Sequence, residues 1–288
     1  MEIMSNPRAD RVRATAHLST AAGRRKAGSF MVEGPQAVRE AVRAHAASRA
    51  VLQDVFITPE RAEREPELAQ APGVHTHFVT EEVLAALADT VAPQGVVARC
   101  ALPTTTLADV VRPGAKLLAV LASVQDPGNA GTILRAADAA GADGVIALSG
   151  TVDLYSPKVV RSTVGSLFHL PAVTGVSLDE LLAALAAAGI TPLAADGYGD
   201  QDLDVLQDDA AARRFGLTAK GAAKRVALGA PSAWLFGNEG AGLSEPEKEA
   251  CRARVAIPLY GPAESLNVGT AATLCLYASA RAQREGTE

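Results

Sequence analysis

Apolar runs alternate with helical periodicities along most of this chain, and two blocks of that alternation are separable. In the first, Phe30-Met31-Val32-Glu33-Gly34 reads as a short buried strand. Pro35 behind it suits a first helical turn, where the missing N–H would be unpaired anyway. Gln36 to Ala47 has helical spacing; Asp54 to Thr58, His77 to Thr80 and Gly95 to Cys100 read as strands, with Glu81 to Ala88 as a helix. Strands and helices in that order predict a small α/β domain over 28–100. Pro103, Thr104-Thr105-Thr106 and Pro113 make 101–114 a linker.

A larger repeat of the pattern fills 115–288. Leu117 to Val124 is a continuous apolar run after a Pro-Gly turn, as in a strand buried on both faces. Ala130 to Ala140 predicts a helix, Gly144 to Leu148 a strand, and Pro157 to Gly165 a helix with proline at its start. Leu181 to Ala188, Pro192 to Ala195, Ala233 to Phe236, Val255 to Leu259 and Leu266 to Ala282 complete the series. The acidic stretch from Asp196 to Asp209 reads as a surface loop. Parallel strands joined by helices imply a sheet covered on both sides, with ligands at the carboxyl ends of the strands. Three loops there are rich in small residues: Asp126-Pro127-Gly128-Asn129-Ala130-Gly131, Gly237-Asn238-Glu239-Gly240-Ala241-Gly242-Leu243, and Ile257-Pro258-Leu259 leading to Ser265-Leu266-Asn267. Such junctions let main-chain groups wrap closely around a small ligand.

Composition adds boundaries. With 288 residues, 48% hydrophobic and 20% charged, the chain has the make-up of a soluble globular protein of two modest domains. Aromatics are scarce, at 4%, so the core must be built of Ala, Val and Leu. No apolar run approaches the roughly 18 residues of a membrane span, and the polar, basic N-terminus lacks the apolar stretch of a secretion signal. The expected location is cytoplasmic. Cys100, Cys251 and Cys275 have neither zinc-ligand nor disulfide-framework spacing, and no metal is expected. The net charge of −5 conceals a basic segment, 1–27, carrying Arg8, Arg11, Arg13, Arg24, Arg25 and Lys26 against Glu2 and Asp10. It is either a solvated terminus or an arm that gains affinity for phosphates by counterion release.

Familiar nucleotide and hydrolase signatures are missing. Neither glycine loop fits G-x-G-x-x-G after a first strand, and G-x-x-x-x-G-K-[ST], H-E-x-x-H and G-x-S-x-G do not occur. What is present is similar, in order and residue by residue, to the SpoU/TrmH branch of the SPOUT superfamily of RNA methyltransferases. The resemblance rests on Asp126 to Arg135, on Leu235 to Ser244, and on Ile257-Pro258-Leu259 with Ser265-Leu266-Asn267-Val268. It extends to Ser156-Pro157-Lys158-Val159-Val160-Arg161 and Gly165-Ser166-Leu167-Phe168. It covers residues 116 to 284. Phe30 to Gly34 and Gln94-Gly95-Val96-Val97 resemble the ribosomal-protein L30e-like α/β substrate-binding domain that often precedes this catalytic domain.

The resemblance implies a C-terminal SPOUT domain with a deep trefoil knot, which pattern reasoning alone would have rendered as an ordinary doubly wound sheet. It implies S-adenosylmethionine as methyl donor, held by Gly237, Ile257 and Leu266 with Ala195, Asn238 and Leu259 nearby, and a homodimer that completes the site. The implied catalytic set is Arg135, Asn129, Glu239, Ser265 and Asn267. The matching arginine activates the ribose 2′-hydroxyl or, since a guanidinium that stays protonated is a poor base, stabilises the developing alkoxide and holds a phosphate. Asn129 competes as a simple helix cap, Glu239 as an exposed turn carboxylate or an orienter of Arg135 or a neighbouring donor, and Ser265 and Asn267 as N-caps. Candidate RNA contacts are Arg8, Arg11, Arg24, Arg25 and Lys26, with Lys158, Arg161 and Ser162 as phosphate contacts or a solvated basic face. The expected activity is RNA ribose 2′-O-methylation, on rRNA in preference to tRNA, with a non-catalytic RNA-binding or assembly factor as the alternative.

Overall fold

The structure is a computed structural model and describes residues 2–48, 52–217 and 224–284. The expected domains 28–100 and 115–288 therefore each include a few residues outside the described set. In chain order the elements begin with β1 (Ile3–Met4), α1 (Asp10–Ala16), α2 (Ala21–Ala27), β2 (Ser29–Glu33), α3 (Pro35–Ala46), β3 (Leu52–Ile57), α4 (Pro59–Arg64), β4 (His75–Val79), α5 (Glu81–Leu87) and β5 (Val96–Ala101). They continue with α6 (Leu107–Val110), β6 (Leu117–Leu121), α7 (Pro127–Ala140), β7 (Gly144–Leu148), α8 (Pro157–Thr163), β8 (Ala172–Val176), α9 (Leu178–Ala188) and β9 (Thr191–Ala195). The last are β10 (Gln201–Asp202), α10 (Leu203–Arg214), β11 (Ser232–Phe236), α11 (Glu245–Ala250), β12 (Ala253–Ala256) and α12 (Val268–Arg284).

Two compact units result. The first comprises Met1–Thr104 together with Asp153–His169, and the second Thr105–Val152 with Leu170–Glu288. Segment 153–169, carrying α8, thus belongs to the first unit although it lies well beyond the 101–114 stretch. Apolar side chains explain this: Phe30 lies 5.1 Å from Tyr155 and 6.1 Å from Phe168, ring centroid to centroid.

The first unit holds a five-stranded sheet ordered β1-β4-β3-β5-β2, in which β5 runs antiparallel to β2 and β3. Residues 3–27, expected as a basic arm, are folded structure instead. Val12 and Leu18 enter the core with Met31, Phe56 and Val79, and β1 pairs with β4. Burial of the apolar side of this segment outweighs its charge, most of which is left on the outer face, Arg24 alone among its basic residues being buried.

The second unit holds a seven-stranded sheet ordered β10-β12-β9-β11-β6-β7-β8, with every recorded pairing parallel. β6, β7 and β11 are fully buried, as their unbroken apolar runs require. The acidic stretch expected as a loop instead contributes β10 and the start of α10. Leu203, Leu206 and Asp209 recur every third residue and are buried there, and Asp209 is tolerated because Arg225 pairs with it at 2.5 Å. α12 packs on α7, where a methyl group added at Gly269 would stand 2.7 Å from Thr132 Cγ2. Trp234 on β11 donates to Ser279 on α12 at 2.9 Å in the buried core.

Candidate functional site

The carboxyl ends of β6, β11, β9 and β12 lie along one edge of the second sheet, since these strands are parallel neighbours. Each loop leaving that edge is held by its own side chains. Asp126 caps α7 by accepting from the Asn129 N–H at 2.8 Å, and Pro127 occupies the first turn. In the loop after β11, the Asn238 side-chain oxygen accepts from Gly240 and Ala241, while its amide donates to the Ser123 carbonyl. Asn238 and Gly242 exchange two backbone hydrogen bonds at 3.0 and 2.9 Å. Gly237 sits so close beneath this turn that a Cβ there would lie 2.3 Å from the Gly242 carbonyl carbon. Only glycine fits.

One chain of side-chain hydrogen bonds joins the three loops. Asn267 donates to Asn129 at 2.8 Å, and Asn129 donates to Glu239 at 3.1 Å. Glu239 also accepts from the backbone N–H groups of Asp126 (2.9 Å) and Gln125 (3.2 Å). Asn267 caps α12, accepting from Gly269 and Thr270. Burial pushes the Glu239 carboxyl up, but the Asn129 amide and the backbone N–H groups of Asp126, Glu239 and Gln125 outweigh it and hold its pKa below the ordinary 4.5.

Of the sequence-predicted catalytic set, Asn129, Glu239 and Asn267 are thus brought together. Glu239 orients Asn129 and the 125–126 backbone; no bond joins it to Arg135. Ser265 is exposed and makes no hydrogen bond among the described residues, so the capping falls to Asn267 alone. Arg135 is exposed two turns along α7, on a strip with Gly128 and Thr132, and its side chain has neither ion pair nor hydrogen bond among the described residues. Around these residues Ala195 and Ile257 are half-buried, while Leu259 and Leu266 are 40% and 36% exposed at the strand ends. Leu259 and Leu266 are uncovered apolar surface, suited to an apolar ring.

Sequence reasoning overlooked Ser123, Gln125 and Thr151. Ser123 takes a left-handed φ of 59° and donates its N–H to Thr151, and Gln125 donates to the Gly150 carbonyl. Neither periodicity nor motif marks them. The Asp-Pro pair at 126–127 was the one local sign of the turn.

The candidate RNA contacts divide. Arg8, Arg25, Lys26 and Lys158 are exposed. Arg24 is only 3% exposed, pairs with Asp153 at 2.5 Å and donates to the carbonyls of Leu18 and Ser19, so it is a structural residue rather than a phosphate contact. Arg11 donates to the buried His77 at 2.7 Å, Ser162 bonds the Val159 carbonyl, and Arg161 is engaged by Glu33 and Asp89. Cys100 and Cys275 are buried with their thiol pKa values pushed up, and burial pushes that of Cys251 to about 12. Among the described residues, no group of three or more His, Cys, Asp or Glu is placed to hold a metal ion, and no helix is long and apolar enough to cross a membrane.

Loops gathered at the carboxyl edge of a parallel sheet, tied by a polar chain and flanked by bare apolar side chains, define an α/β protein with a small-ligand site at its strand ends. Residues 116–277 match the SpoU rRNA Methylase family, and residues 9–98 match the MRM3-like substrate binding domain. The chain belongs to the SpoU rRNA methylase family. It is 31% identical to the 23S rRNA (guanosine(2553)-2′-O)-methyltransferase RlmP of Bacillus subtilis, over 96% of this chain and 98% of that one. The SpoU methyltransferase AviRb of Streptomyces viridochromogenes, solved with AdoMet, superposes with a TM-score of 0.80 at 31% identity, covering 98% of this chain and all of that one. An AdoMet-bound rRNA methyltransferase from Sinorhizobium meliloti gives 0.77 at 27% identity, over 97% of both chains.

Proposed function

We propose that this chain is an S-adenosylmethionine-dependent RNA ribose 2′-O-methyltransferase acting on ribosomal RNA. The observation that carries the reading is the Asn267–Asn129–Glu239 chain joining three strand-end loops, in a protein of the SpoU family. Main-chain groups of Gly237, Ile257 and Leu266, with Ala195 and Asn238, would hold the methyl donor, and Leu259 and Leu266 would cover its adenine. Bound there, it supplies a sulfonium methyl group to an attacking ribose oxygen. Arg135, exposed and without a side-chain partner among the described residues, is suited to hold the phosphate beside the target ribose and to stabilise charge developing on the 2′-oxygen. Asn129, fixed from both sides, and Ser265 would line the substrate path.

Several finer features belong to the same reading. β12 lies between β9 and β10 while α12 returns to α7, a routing that supports a threaded C-terminus and hence a trefoil knot. The mixed five-stranded sheet supports an L30e-like substrate-binding domain over 28–100, with chemistry assigned to 115–288. Arg8, Arg25, Lys26 and Lys158, exposed outside that range, remain candidate RNA contacts. Exposed Leu274 (43%) and Tyr277 (49%) on α12, the helix packed against α7, support packing against a second copy. A cytoplasmic location accords with an rRNA substrate.

The test is transfer of labelled methyl from S-adenosylmethionine to unmodified rRNA and, separately, tRNA, with Arg135→Ala alongside. Label in rRNA that stays with the sugar after nuclease digestion and glycosidic cleavage is expected. Failure to bind S-adenosylmethionine in calorimetry would turn the reading to a non-catalytic RNA-binding or assembly factor.

A further inference from the structure

The first unit contains a cavity of about 210 Å³ to which the activity above assigns nothing. Glu33, 6% exposed, is its buried carboxylate, and Gln36 and Gln94 are exposed lining residues. Ala37, Ala92 and Val164 supply apolar lining. Its volume is below the roughly 300 Å³ at which sites for drug-sized ligands begin, so it suits one small ring system.

The electrostatics exclude a phosphate. Arg161 is the lining cation, and it is held by Glu33 at 3.1 Å and by Asp89 at 3.0 Å. Glu33 also accepts from the Asp89 N–H and the Thr90 hydroxyl. Two carboxylates against one guanidinium leave the side of the cavity at Glu33 negative, which repels an anion. Two neutral amides remain for a ligand to use. The side chains of Gln36 and Gln94 make no hydrogen bond among the described residues, and each offers both donors and an acceptor.

Backbone geometry keeps the mouth open. Gly34 has φ 93°, a conformation that side chains rarely adopt, and a Cβ there would lie 3.3 Å from the Gln94 side-chain oxygen. Val91, between the lining residues Thr90 and Ala92, is fully exposed beside the opening. A planar, uncharged ring with a mixed donor and acceptor edge fits this combination. RNA presents such rings where bases are unpaired and splayed from the strand.

We propose that this cavity receives one unpaired nucleobase of the RNA substrate, its edge read by the side-chain amides of Gln36 and Gln94. The proposal rests on the reading of the first unit as the part that holds RNA. Arg161, from sequence a candidate phosphate contact or part of a solvated basic face, would in this proposal shape the Glu33 side of a base pocket.

Fluorescence anisotropy on the full chain tests it, with a labelled single-stranded oligoribonucleotide of mixed sequence and the same backbone made abasic. The base-bearing probe is expected to bind about tenfold to a hundredfold more tightly, the range of one bidentate base contact. Gln36→Ala combined with Gln94→Ala, and separately Ala92→Trp, should abolish that preference while leaving thermal unfolding and S-adenosylmethionine binding unchanged. Charge reversal at Arg25 and Lys26 should weaken both probes alike. A preference absent from the wild type, or untouched by the cavity variants, overturns the pocket. If charge reversal then still weakens binding, the first unit remains the RNA-holding part; if it does not, that reading falls as well.

Discussion

The Asn267 amide donates to the Asn129 side-chain carbonyl at 2.8 Å, joining the starts of two helices across 138 residues of sequence. The direction of this bond is determined at both ends. Glu239, ionised, only accepts, so the Asn129 amide must face it and the Asn129 carbonyl must face Asn267. At the other end the Gly269 N–H only donates, so it takes the Asn267 oxygen and leaves its amide for Asn129. Three loops therefore share one arrangement of donors.

That sharing is measurable as coupling. Asn129→Ala is expected to cost about 1 kcal/mol in urea denaturation, and Asn267→Ala about 1–2 kcal/mol because a helix cap goes too. In the double variant the second change should cost less than it does alone. Strict additivity would mean the two asparagines act independently.

Arg135 should behave in the opposite way. With no side-chain partner among the described residues to abandon, Arg135→Ala is expected to leave stability within about 0.5 kcal/mol. Methyl transfer should fall about a hundredfold or more, the loss typical of a group that stabilises developing negative charge. Calorimetry and labelled-methyl assays on one preparation would check both, and a large drop in melting temperature would assign the arginine a structural role.

Acid should reveal Glu239. Its folded pKa lies below 4.5, so its contribution is complete above the unfolded value and lost as pH falls through the folded one. Glu239→Gln should therefore be less stable than the wild type at neutral pH, and the gap should close only under conditions more acidic than pH 4.5. A gap that persists unchanged on further acidification would show that charge is not what Glu239 supplies.

Arg24 and Lys26 are near neighbours with different tasks. Arg24→Ala breaks bonds to Asp153 and to two carbonyls and should cost about 2 kcal/mol or more in thermal unfolding. Lys26→Ala, on the surface, should leave unfolding unchanged and weaken RNA binding in a salt-dependent manner. Equal effects on stability would remove the distinction.

The contact between α7 and α12 leaves no room at Gly269. Gly269→Ala is expected to destabilise by about 1–3 kcal/mol through overpacking. Thr132→Ser, which deletes the methyl 2.7 Å away, should recover part of the loss. Fluorescence of Trp234, the sole tryptophan and a partner of Ser279 on α12, reports the transition.

Much of the second unit was readable from the chain because β6, β7 and β11 are continuous apolar runs and α7 begins with Asp-Pro. β8 was not, since Pro171, Thr174 and Gly175 interrupt its run, and α10 was hidden by a surplus of aspartate over a narrow apolar strip. The N-terminal helices were obscured by their arginines, whose charge drew attention from Val12 and Leu18. In the site, motif order named Asn129, Glu239 and Asn267 but not their connection. The connection depends on loops that meet only when parallel strands align their ends. Whether a charged residue is free is likewise invisible in sequence, as Arg24 and Arg135 illustrate in opposite senses.

The assignment of residues 153–169 to the first unit has a bearing on biosynthesis. As the chain leaves the ribosome, residues 2–104 emerge without Tyr155, Phe168 and Asp153, so Phe30 and Arg24 wait without their partners. By the time those partners are translated, β6 and β7 of the second unit have already been made. The first unit is thus completed only after the second has begun, and the two halves of the molecule must mature in overlapping rather than successive stages.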